Sequence, residues 1–180
     1  MTLALGANFE QVPLMRGPIT DLANVLLTSD RDALTKLLND FQAESHHQIA
    51  VLTVPTLNGE SIESLSLRVA NSWGVGLKHW NDGILVTIAL QERGIRIELG
   101  KGMERYISNA TARQIIDYDM RSPFEHGDIA GGLRKGLLEL MERARQYKII
   151  NPQLSPAAAE QSRGGSALVG YQRSRWVTCT

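Results

Sequence analysis

The chain has few chemical staples. Its 180 residues hold one cysteine, Cys179, so no internal disulfide can form and a structural zinc site would lack thiolate ligands. It has no excess of charge. Lys plus Arg and Asp plus Glu each number 19, and this balance removes any broad electrostatic pull toward nucleic acid or anionic membranes. No run approaches the roughly 20 apolar residues of a membrane-spanning helix. The opening MTLALGANFEQVPLMRGP has no basic region and, as written, is not a signal peptide, so the reading is of a soluble protein. No G-x-G-x-x-G dinucleotide motif and no G-x-S-x-G elbow is present. Gly100-Lys101-Gly102 lacks the spacing of a phosphate loop and follows an antiparallel strand. The fold must rest on one core, for which 43% hydrophobic residues suffice.

Periodicity predicts the order helix, strand, helix, two strands, helix, helix. Residues 1–17 read as an extended lead-in, 18–150 as one domain and 151–180 as a flexible tail rich in Ala, Ser, Gly and Gln. The first helix is expected to start at Ser29 or Asp30, with Leu34, Leu37, Leu38 and Phe41 on one stripe and His46 and His47 near its end. Residues 48–54 and 84–90 are continuous apolar strands. The helix between them carries Ile62, Leu65, Val69 and Trp73 on one face, so a parallel, right-handed βαβ unit is expected. Arg93–Leu99 alternates, with Ile95, Ile97 and Leu99 buried and Arg96 and Glu98 wet. The short link before it requires an antiparallel hairpin. Later helices are expected over 109–120 and 128–147.

That hairpin carries the functional inference. With a turn at 91–93, paired residue numbers sum to roughly 183–185, which brings WNDG (80–83) against GKGME (100–104) at the open end. Asp82 and Glu104 then converge beside exposed glycine backbone. Two neighbouring carboxylates need compensation, which Ca2+ or Mg2+ supplies through oxygen ligands and which Lys101 or Arg105 would also supply. The plainer alternative is that Asn-Asp-Gly is a turn and Gly-Lys-Gly a bulge. His79 and His126 flank these segments and read as solvated loop residues.

Taken in order, the segments ITDLANVL (19–26), QIAVLTVPTLNGESIESLSLRVANSWGVG (48–76), NDGILVTIA (81–89), RIELGKGMERYIS (96–108) and SPFEHGDIAGGL (122–133) resemble the TPM domain family. The resemblance implies a three-layer α/β/α sandwich with a central mixed sheet and an acidic cleft that usually holds Ca2+. It also implies export to a lumen, the periplasm or the cell surface. It assigns metal-binding roles to Asp21, Asp82, Glu104 and Asp119. The implied function is a binding or maintenance module of an envelope complex, with a protein partner at a membrane-associated assembly. The alternative is a metal-assisted acid phosphatase acting on phosphomonoesters, with Asp82 or Asp119 as catalytic residue. Several positions depart from the family pattern. Lys101 replaces a common tyrosine, Arg105 a glycine, Asn109 an aspartate and Glu125 an arginine.

Overall fold

The computed structural model describes residues 12–77, 80–150 and 176–177. The lead-in before Val12 and most of the tail lie outside the described residues. Among them, five strands form one mixed sheet in the order β1 (Ile19–Asp21), β2 (Ile49–Val54), β3 (Ile84–Ala89), β4 (Gly94–Gly100) and β5 (Trp176–Val177). β1, β2 and β3 run parallel, and β4 is antiparallel to both β3 and β5.

Helices cover both faces. Helix α1 (Thr28–Ser45) crosses from β1 to β2 on one face, where it is joined by α3 (Asn109–Ile115) and α5 (Ile129–Ile150). Leu34, Leu38 and Phe41 there meet Ile49, Val51, Ile84, Val86, Ile97 and Leu99 in one core. Helix α2 (Ile62–Trp73) crosses from β2 to β3 on the other face, over Ala50, Leu52, Val54, Leu85 and Ala89. Both crossovers step the same way across the sheet yet lie on opposite faces, so they have opposite hands. One of them departs from the usual right-handed rule.

Several expectations are corrected here. The first helix begins at Thr28 with Leu27 at its cap and no side-chain capping bond, so Ser29 and Asp30 lie inside its first turn. The helical run after β4 is not one α-helix. After α3, a π-helical segment (Ile116–Arg121) leads into the short α4 (Ser122–Glu125). Trp73 is half-buried, and its indole N–H donates to the Pro13 carbonyl at 2.7 Å. β4 has no wet face, because Arg96 and Glu98 lie under α2, 9% and 0% exposed. They tolerate burial because Arg96 Nε donates to Glu98 Oε1 at 2.7 Å, pairing the two charges on one side of the strand.

Candidate functional site

The hairpin turn sets the site. Leu90–Arg93 forms a turn with Arg93 in the left-handed region at φ 51°, and Arg93 N donates to Leu90 O. Ala89 then faces Gly94 and Ile84 faces Leu99, so paired numbers sum to 183. The open end is closed by backbone bonds. Gly100 N donates to Gly83 O at 2.8 Å and Gly102 N to Asn81 O at 2.9 Å. The loops at 80–83 and 100–104 therefore lie against one another, as the turn length requires.

Glycine at 100 and 102 is a packing requirement. A Cβ on Gly100 would stand 2.0 Å from the Asn81 carbonyl oxygen, and one on Gly102 would stand 2.1 Å from that of Trp80. The carbonyl oxygens of Trp80 and Asn81 are thus turned toward the 100–104 loop at close range. Asn81 takes φ 46°, a left-handed conformation that asparagine tolerates better than most residues. Its Oδ1 is buried and has no hydrogen-bond partner among the described residues. Glu104 is half-buried and makes no hydrogen bond or ion pair among the described residues. Lys101 and Arg105 are exposed on the same loop, and Trp80 is 38% exposed beside it.

Asp82 sits behind this surface. It is fully buried, and both carboxylate oxygens are engaged: Oδ2 lies 2.8 Å from His47 Nδ1, and Leu77 N donates to Oδ1 at 2.7 Å. His47 is the residue that sequence reasoning missed. His46 ends α1 in the left-handed conformation, and His47 turns inward at the foot of β2. The signal was the parallel register. Ile49 pairs with Ile84, and the same offset carried two residues down places His47 beside Asp82. Gln48 adds a second stitch, since its Oε1 accepts from Gly76 N at 2.8 Å and its carbonyl from Ile84 N at 2.9 Å. The acidic loop is therefore tied to β2 on one side and to β4 on the other.

The other expected acidic residues lie elsewhere. Asp21 pairs in register with Thr53, level with Ile88, at the far end of the sheet. Four strand steps from Ile84 to Ile88 span about 13 Å, and Asp82 lies further still, so these two aspartates do not share one ion. Asp21 accepts from Val25 N, Leu26 N and Thr53 Oγ1, which folds the chain into α1. Asp119 belongs to the π-helical segment and pairs with Lys135 of α5 at 3.1 Å. His126 is exposed, with Nδ1 against Ser122 O, and His79 lies outside the described residues. Among the described residues, no three His, Cys, Asp or Glu side chains converge as a metal cluster. No helix there is long and apolar enough to cross a membrane.

Comparison with known proteins agrees with this architecture. A family model described as the TPM domain matches residues 19–143. A solution structure of the N-terminal domain of a protein from P. gingivalis is 29% identical, with a TM-score of 0.64, over 76% of this chain and 83% of that one. The BA42 protein of the psychrophilic bacterium Bizionia argentinensis has the same fold at 16% identity and a TM-score of 0.60, over 68% of this chain and 83% of that one. So does the N-terminal domain of a Corynebacterium glutamicum protein, at 14% identity and 0.52, over 91% of each chain. No curated protein matches.

Proposed function

The chain belongs to the TPM domain family, and from that premise we propose that it is a binding module that holds a divalent cation where its two glycine-bearing loops meet. One observation carries the reading. The Asn81 Oδ1 oxygen is buried at that junction with no hydrogen-bond partner among the described residues, and a buried acceptor without a partner costs about 1–3 kcal/mol. A hard cation would satisfy it. Calcium takes about 6–8 oxygen ligands, among them carboxylates, amide oxygens and backbone carbonyls. Asn81 Oδ1, the Glu104 carboxylate and loop carbonyls are donors of that kind. The buried Asp82 contributes fixed negative charge and, through His47 and Leu77, the shape of the loop.

In this reading the domain serves as a binding or maintenance module of an envelope complex. The ion fixes the loop surface and the exposed Trp80 is the aromatic that a protein partner meets. Phosphomonoester hydrolysis finds less in this geometry. Asp82 is fully buried with both oxygens engaged, and Asp119 pairs through Oδ1 with Lys135, away from the two loops.

Calorimetric titration with calcium chloride tests the reading. The wild type is expected to bind, and Glu104→Gln and Asn81→Gly each to weaken Kd at least tenfold. Glycine is chosen at 81 because it keeps the positive φ while removing the oxygen. Absence of binding heat in the wild type, or equal affinity in all three proteins, rules the cation site out. Turnover of p-nitrophenyl phosphate that vanishes in Asp82→Asn at unchanged fold would instead establish the hydrolase.

A further inference from the structure

The second polar feature of the molecule lies beneath α2, apart from the two loops. Thr87 of β3 and Arg96 of β4 are direct cross-strand partners, and Glu98 follows two residues along on the same face. Ser66 is fully buried on α2, the helix that packs over β3 and β4. Gly94 marks the helix start, since a Cβ there would stand 3.1 Å from Ile62 Cδ1, and Arg96 Nη1 lies 3.7 Å from Glu63 Oε1. From Ile62, four helical residues advance about 6 Å, matching two residues of β4 and setting Ser66 level with Arg96.

Four side-chain atoms beneath α2 are buried with no hydrogen-bond partner among the described residues: Ser66 Oγ, Thr87 Oγ1, Arg96 Nη2 and Glu98 Oε2. Isolated cases of this kind are rare in native proteins, and a cluster calls for a shared ligand. Its chemistry follows from the set. Arg96 Nη2 only donates and Glu98 Oε2 only accepts, while the two hydroxyls do both. An anion would suit the guanidinium but be repelled by the carboxylate, and a cation would meet the reverse problem. A species that donates and accepts satisfies all four. We infer that the space between α2 and β3–β4 is a binding site for ordered water, bridging Ser66, Thr87, Arg96 and Glu98.

Buried water of this kind makes about three hydrogen bonds and exchanges slowly. It also explains how an ion pair sits under a helix, because part of the hydration lost by both charges is replaced in place. The Glu98 carboxyl is nonetheless pushed above its ordinary range, chiefly by burial, with Arg96 opposing.

Magnetic relaxation dispersion of water oxygen-17 and water-to-amide cross-relaxation on the wild-type protein test the inference. At least one long-lived water is expected, with cross-peaks to amides of residues 66, 87, 96 or 98. Thr87→Val, which keeps the shape and removes the hydroxyl, is expected to lower the long-lived count by one or to shorten the residence time at least tenfold. A wild type without such cross-peaks overturns the inference. So does a high-resolution crystal structure in which these four atoms bond directly to one another.

Discussion

Replacing Arg96 with methionine is expected to cost about 3–5 kcal/mol of stability at neutral pH, because it strands the Glu98 carboxylate in the interior without its counter-charge. The guanidinium and carboxylate are joined at 2.7 Å, and Glu98 is fully buried. The cost is expected to depend on pH. Burial raises the Glu98 carboxyl above the ordinary 4.5, while the hydrogen bond and charge of Arg96 pull it back. A raised carboxyl adds stability that is complete below the unfolded value and is lost as pH rises through the folded one. Without Arg96 the carboxyl rises further, so Arg96→Met should lose stability more steeply with pH than wild type. Its deficit should shrink as pH falls toward 4.5. Urea unfolding at pH 5 and pH 7, followed by circular dichroism, measures both slopes. The double variant Arg96→Met/Glu98→Leu is expected to recover most of the loss, since a buried pair replaced by apolar groups is often neutral or stabilising. A deficit below about 1 kcal/mol at pH 7, or one indifferent to pH, would show that the pair is not buried as charges.

The same pair shows where pattern reading fails. Alternation assigns the polar face of β4 to solvent because lone charges are seldom buried. Arg96 and Glu98 are not alone, since they stand two residues apart on one side and neutralise one another, so α2 can cover them. The short elements escaped for a different reason. β1 has three residues and β5 two, too few for a period to declare itself, and both exist through pairing to a neighbour. The π-helical segment has no local signal either; its Ile116 and Met120 are buried in the core that α5 shares, with Met120 against Gly136.

The loop junction was legible because it depends on turn length alone. A hairpin with a fixed turn fixes its register, and the register fixes which loops meet at the other end. Asp82 and the 100–104 segment followed from that arithmetic. Asp21 did not, because resemblance supplies a set of acidic residues without saying at which end of the sheet each one stands. Only the pairing of Asp21 with Thr53 shows that it lies at the turn end. His47 required one more step, the parallel offset between β2 and β3, which cannot be read from either strand separately.

Asp82→Ala and Asp82→Asn are expected to separate two roles of this buried carboxylate. The alanine variant leaves the His47 ring nitrogen and the Leu77 amide without their acceptor in a buried site, at a cost of about 3–5 kcal/mol. The asparagine variant keeps an oxygen for Leu77 N and offers its amide group to His47 Nδ1, which a neutral imidazole accepts, so about 1–2 kcal/mol should be lost. The loops would then keep their places while the charge is gone. If Asp82 acts on a bound cation through its charge, calcium affinity in Asp82→Asn falls about tenfold, the equivalent of about 1.4 kcal/mol. Thermal unfolding and calorimetry on the same samples read the two effects independently. An alanine variant as stable as wild type would mean that the His47–Asp82 contact does not tie the loop to β2. The juxtaposition with Glu104 would then rest on the Gln48 stitch and the glycine backbone contacts. An asparagine variant that binds calcium undiminished would place the negative charge of Asp82 outside the site's reach and leave Asn81 and Glu104 as its side-chain determinants.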